Sequence, residues 1–158
     1  MLEEIIILIL MTWAPFLELR ASIPYGIFVL GMNWILVFFV CVVANLLLVP
    51  LVWFFLHHIL NLFLKIKSVD KVYKKMVIKT QKKVKPYIKK YGHIGLALFI
   101  GVPFPGSGVI SGGLGAYLLG FEFKDYLIAS IIGVLIAGII ITLISLFGNG
   151  IWSVFIKV

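Results

Sequence analysis

Two formally charged residues stand inside otherwise apolar sequence: Glu18 and Arg20, in the run Pro15-Phe-Leu-Glu-Leu-Arg-Ala-Ser-Ile-Pro24. A guanidinium offers a planar fork of donors to an anionic group, and a carboxyl group can carry a proton. Arg20 is therefore the candidate binder of an anionic head, and Glu18 the proton-sensitive counter-charge. A charge at a membrane-helix centre costs about 2.5–3.5 kcal/mol on insertion scales, so each needs a partner or a wet cavity. On a helix, residues two apart point to different sides. In the extended backbone favoured before proline, both can face one cavity. A purely structural reading stands beside the functional one: a buried pair, held by carbonyls of an opposing segment, that locks two pieces of chain together.

The opposing segment is Gly101-Val-Pro103-Phe-Pro105-Gly106-Ser107-Gly108. No continuous helix survives this run, because proline removes donors and glycine favours other backbone angles. Half-helices ending there would aim amide groups and positive dipole ends at an anion. Pro103, Pro105, Gly106 and Gly108 thus join Arg20 and Glu18 in the expected substrate-binding set, with hydroxyls from Ser22, Ser107 and Ser111. Close packing accounts for the same small residues equally well. His93 is a second proton-coupling candidate, or an interfacial histidine. His57-His58 forms no metal pair, since adjacent residues do not share a helix face. A single cysteine, Cys41, excludes an internal disulfide and a cysteine-based zinc site. No metal or other cofactor is expected. No Ser/His/Asp cluster or Walker-type loop is present in the sequence, so neither an enzyme nor direct ATP drive is expected.

These residues must be positioned by membrane elements. The 158-residue chain is 63% hydrophobic and 13% charged, with a mean hydropathy of +1.19. A soluble domain carries about 25% charged residues. Residues 65–90 hold eleven lysines against Asp70, a net +10, while the remainder sums to −2. The positive-inside rule reads 65–90 as cytoplasmic, in preference to a nucleic-acid patch. Its apolar residues recur at helical spacing, so an amphipathic linker helix over 65–91, with lysines toward anionic lipid heads, is expected. Residues 33–64 and 126–147 are long enough to span. Gly148-Asn149-Gly150 reads as a helix stop, followed by an interfacial tail over 151–158. Met1-Leu2-Glu3-Glu4 lacks the basic leader of a cleavable signal, so the apolar start is expected to remain.

The other two apolar stretches are interrupted midway. Arms 93–102 and 109–119 are each about 15 Å long, half a bilayer. Arms 5–14 and 25–32 flank the Pro15–Pro24 break. Each stretch reads as a re-entrant hairpin, 5–32 and 93–119, with its bare backbone buried against the other. Sliding the sequence by 89 residues places Ser22 on Ser111, Gly26 on Gly115, Phe28 on Tyr117, Leu30 on Leu119 and Gly31 on Gly120. The expected fold is an all-α integral membrane domain of two inverted repeats, residues 1–64 and 92–150, each a hairpin followed by a span. Inverted repeats with broken helices are a construction of secondary transporters. Ala129, Gly133 and Ala137 form a small-residue stripe suited to contact within the monomer or across a homodimer.

The paired breaks, Pro15 to Gly26 and Gly95 to Gly108, resemble the small multidrug export family, a relative of the DedA/SNARE-associated (VTT) membrane proteins. The resemblance covers essentially the whole chain. It implies two facing re-entrant hairpins and, through the DedA relatives, proton-dependent movement of phospholipids or polyprenyl-phosphate carriers. Those relatives usually carry arginine in the second hairpin; here the second hairpin is uncharged and Arg20 sits in the first. The leading functional expectation is a carrier for a small amphipathic substrate with an anionic head. The alternatives are a multidrug exporter of lipophilic cations and a non-transporting, membrane-organising protein. The expected location is the cell membrane of a prokaryote, with both termini outside.

Overall fold

The computed structural model describes residues 2–14, 17–63, 92–102 and 107–156, excepting the side chains of 59–63 and 149–156. The lysine segment and linker helix over 65–91 lie outside these residues, as do Pro15, Pro103, Pro105 and Gly106.

Every regular element among the described residues is helical. They are α1 (Leu2–Trp13), α2 (Glu18–Pro24), α3 (Trp34–Phe63), α4 (Gly92–Gly101), α5 (Val109–Leu119) and α6 (Phe123–Ile156). Within α3 and α6, Trp34–His58 and Phe123–Gly148 are long and apolar enough to cross a membrane. The two run antiparallel. Phe38 and Val42 of α3 meet Gly138, whereas Trp53 packs against Phe123 and Tyr126. Their outward faces, including Phe39, Leu47, Phe55, Ile132, Ile139 and Phe147, are exposed apolar surface, as a lipid-facing surface requires.

Three expectations are corrected. The chain around Glu18 and Arg20 is not extended: helix begins at Glu18 rather than at residue 25. Pro24 sits inside that helix and supplies no amide donor. The chain accommodates it by widening into a π-turn over Tyr25–Val29, closed by the Leu30 amide donating to the Tyr25 carbonyl at 3.1 Å. The third correction concerns α6, which does not stop at Gly148-Asn149-Gly150 but continues to Ile156, across the expected tail. Two glycines cost a helix about 2 kcal/mol. Ending it in an apolar setting would strand four carbonyls, each costing several kcal/mol.

The long helices start 89 residues apart, at Trp34 and Phe123. Each start follows, by three residues, a glycine in the left-handed region: Gly31 (φ 60°) and Gly120 (φ 79°). The stripe Ala129, Gly133, Ala137 is buried inside the monomer. A side chain at Gly133 would lie 2.7 Å from the Ala97 carbonyl and from Ile100 Cβ, so α4 and α6 touch backbone to side chain there.

Candidate functional site

Glu18 opens α2 with a positive φ of 44°, in a chain where every other described positive φ belongs to glycine. This costs of order 1–3 kcal/mol and is sustained by what the side chain reaches. The carboxylate lies on the N-terminus of α5: the Val109 amide donates to Oε2 at 3.3 Å and the Ile110 amide to Oε1 at 3.4 Å. Gly108 precedes them with φ 132°. A Cβ on Gly108 would collide with the carboxylate, so only glycine admits Glu18 to this helix end. Tyr126 of α6 fixes the same turn from the other side, donating its hydroxyl to the Val109 carbonyl at 2.8 Å.

Arg20 reaches the opposite helix end. Its Nη2 donates to the Val102 carbonyl (3.2 Å), just past the C-terminus of α4, and to Ser107 Oγ (2.7 Å). Ser107 in turn donates to the Val102 carbonyl at 2.7 Å. An acid therefore sits on a positive helix end and a base on a negative one, each matching the helix dipole it faces. Glu18 is 6% exposed, and Arg20 half-buried. The amide donors that sequence reasoning offered to a bound anion are thus occupied by the chain's own carboxylate.

The remaining expected residues divide. Ser107 and Gly108 join Glu18 and Arg20. Ser22 does not: fully buried, it donates to the Glu18 carbonyl (3.0 Å) and lies 2.8 Å from the Thr12 hydroxyl, which reaches the Leu8 carbonyl at 2.7 Å. It therefore ties α2 to α1. Ser111 is half-buried in the first turn of α5. His93 stands away from the pair, its Nε2 2.8 Å from Asp125 Oδ1 and its ring edge-on to Phe121. His57 packs edge-on against Tyr117, and His58 Nδ1 lies 3.2 Å from the Phe54 carbonyl.

The structure adds three fully buried residues that the sequence analysis does not name: Asn45, Tyr126 and Ser130. Asn45 lies about midway along Trp34–His58. It is fully buried and its side chain approaches the Glu18 carboxylate, yet neither amide atom completes a hydrogen bond. The Ser130 hydroxyl, one helical turn from Tyr126, is likewise buried without a partner. An amide at the centre of an apolar span was the available signal.

On the outer face, α1 and α3 form an open apolar groove of about 310 Å³ lined by residues including Ile5, Ile9, Phe39, Val43 and Leu47. No curated protein and no solved structure matches the chain. A family match covers residues 18–140, a stretch that begins at Glu18 and takes in Arg20, the Gly108 turn, the first apolar span and the second as far as residue 140. The chain belongs to the membrane-protein family described as "putative small multi-drug export protein".

Proposed function

We propose that this protein is a proton-coupled carrier for an amphipathic molecule with an anionic head, of the phospholipid or polyprenyl-phosphate type. In this reading α1–α2 and α4–α5 are facing re-entrant hairpins, the two halves form an inverted repeat, and Glu18 and Arg20 mark the crossing point. The observation that carries the reading is the surroundings of Glu18. Two α5 amides donate to its carboxylate and the Arg20 charge acts on it, which is the construction of an anion site. Glu18 acts as its resident occupant. Protonation removes the Glu18 charge and frees the amides. The substrate head takes that place with Arg20 as counter-charge.

This arrangement fixes the sign of coupling. An anion binds only when Glu18 is protonated, so anion and proton move together. A lipophilic cation would replace the proton on Glu18 and move against it. The family description favours this second, export reading; the donors around Glu18 favour the first.

Reconstituted vesicles with pyranine trapped inside and an imposed pH gradient separate the two. Fluorescently labelled phosphatidylglycerol should cross with co-movement of protons, and the double neutral variant Glu18→Gln, Arg20→Met should abolish its flux. Ethidium moving against protons, with flux surviving Arg20→Ala, would establish cation export instead.

A further inference from the structure

A buried amide with both atoms unpartnered is unusual, because buried polar groups are almost always satisfied. Asn45 is such a residue, and it adjoins Glu18. The Glu18 carboxylate has donors from Val109 and Ile110. Once protonated, the carboxyl group needs an acceptor, and amide N–H groups cannot supply one. We infer that Asn45 is a positioning residue for the proton on Glu18: its side-chain carbonyl accepts the hydrogen bond of the neutral acid and holds that acid off the α5 amides. An asparagine suits this role because rotation about its last bond exchanges acceptor for donors, so one side chain can face either form of the carboxyl group. The inference rests on the reading of Glu18 as proton carrier.

Among the groups around Glu18, Asn45 is the buried side-chain amide whose acceptor has no partner. On its own helix Arg20 is a donor only. From α5 come the two backbone amides, and from α6 Tyr126, whose hydroxyl is committed to the Val109 carbonyl. From α3, Cys41 lies toward Ser22 and Thr12. The Thr12 hydroxyl on α1 is engaged with Leu8 and Ser22.

Infrared difference spectroscopy of the purified protein in phosphatidylcholine vesicles tests this without any transported substrate. Acidification should produce a carboxylic-acid C=O band that Glu18→Gln removes. In the wild type that band should stand at the frequency of a hydrogen-bonded acid. In Asn45→Leu, similar in volume but without an acceptor, it should move up to the free-acid position. Asn45→Thr, which restores a hydroxyl, should bring it back down. A wild-type band already at the free-acid frequency would overturn the inference, even if Asn45→Leu failed to fold. So would a band unmoved in Asn45→Leu. Absence of proton-linked flux alongside a band that shifts would overturn the carrier reading and leave this one standing.

Discussion

Replacing Gly108 by alanine should be the most damaging one-carbon change in the described chain. At φ 132° and ψ −171°, Gly108 occupies backbone space open essentially to glycine alone, and a side chain there costs of order 1–3 kcal/mol. The added methyl would also strike the Glu18 carboxyl group, 2.7 Å from both Cδ and Oε1. Displacing it loses two charge-assisted but long hydrogen bonds, which we set at about 1–2 kcal/mol together. The combined loss is about 2–5 kcal/mol. At about 2–4 °C per kcal/mol for a chain of this size, the melting temperature in detergent should fall by roughly 10 °C. Gly115→Ala is the matched control on the same helix: nothing lies within 4 Å of its would-be Cβ, so Tm should hold or rise. Glu18→Ala should cost less in the Gly108→Ala background than alone, because the collision is gone, and the residual loss measures the backbone strain. A Gly108→Ala protein melting with the wild type, or a cycle with no coupling, would refute the seating of Glu18 on α5.

Gly133→Val should lower stability by about 1–3 kcal/mol by overpacking α4 against α6, whereas Ile144→Ala, on the 60% exposed outer face, should change Tm little; equal effects would argue against that contact. Because Cys41 is fully buried, the wild type is a low background for thiol labelling. Thr80→Cys should then resist a membrane-impermeant reagent in intact cells while Glu3→Cys reacts, and labelling of residue 80 from outside would reverse the proposed topology.

The spans were legible because membrane burial leaves a composition signal that needs no partner. Trp34–His58 and Phe123–Gly148 are recognisable from their own residues. The half-length helices α4 and α5 were legible by subtraction, through the proline and glycine between them. The behaviour of Glu18 was less accessible. Its carboxylate is satisfied by amides 91 and 92 residues away, and no local period encodes such a pairing. Arg20 shares this difficulty: the carbonyl it binds is 82 residues away. The expectation of extended chain around them failed because the π-turn after Pro24 allows helix where proline argues against it. At Gly148-Asn149-Gly150, local stop propensity lost to the cost of bare carbonyls in an apolar setting. Tyr126 carries no signal of its own in the sequence, since the Val109 carbonyl that makes it structural is a feature of the folded chain.

The central claim is that Glu18 and Arg20 do transport chemistry, beyond fastening α2 to the ends of α4 and α5. The double neutral variant Glu18→Gln, Arg20→Met tests it most directly. Neutralising one charge alone strands the other at a cost of several kcal/mol, so either single variant confounds folding with function. Removing both restores balance and should return a folded, monodisperse protein. Measured in vesicles with labelled phosphatidylglycerol under a pH gradient, that protein should show no proton-linked flux. A well-folded double variant that transports like the wild type would contradict the account and leave the two charges as architecture.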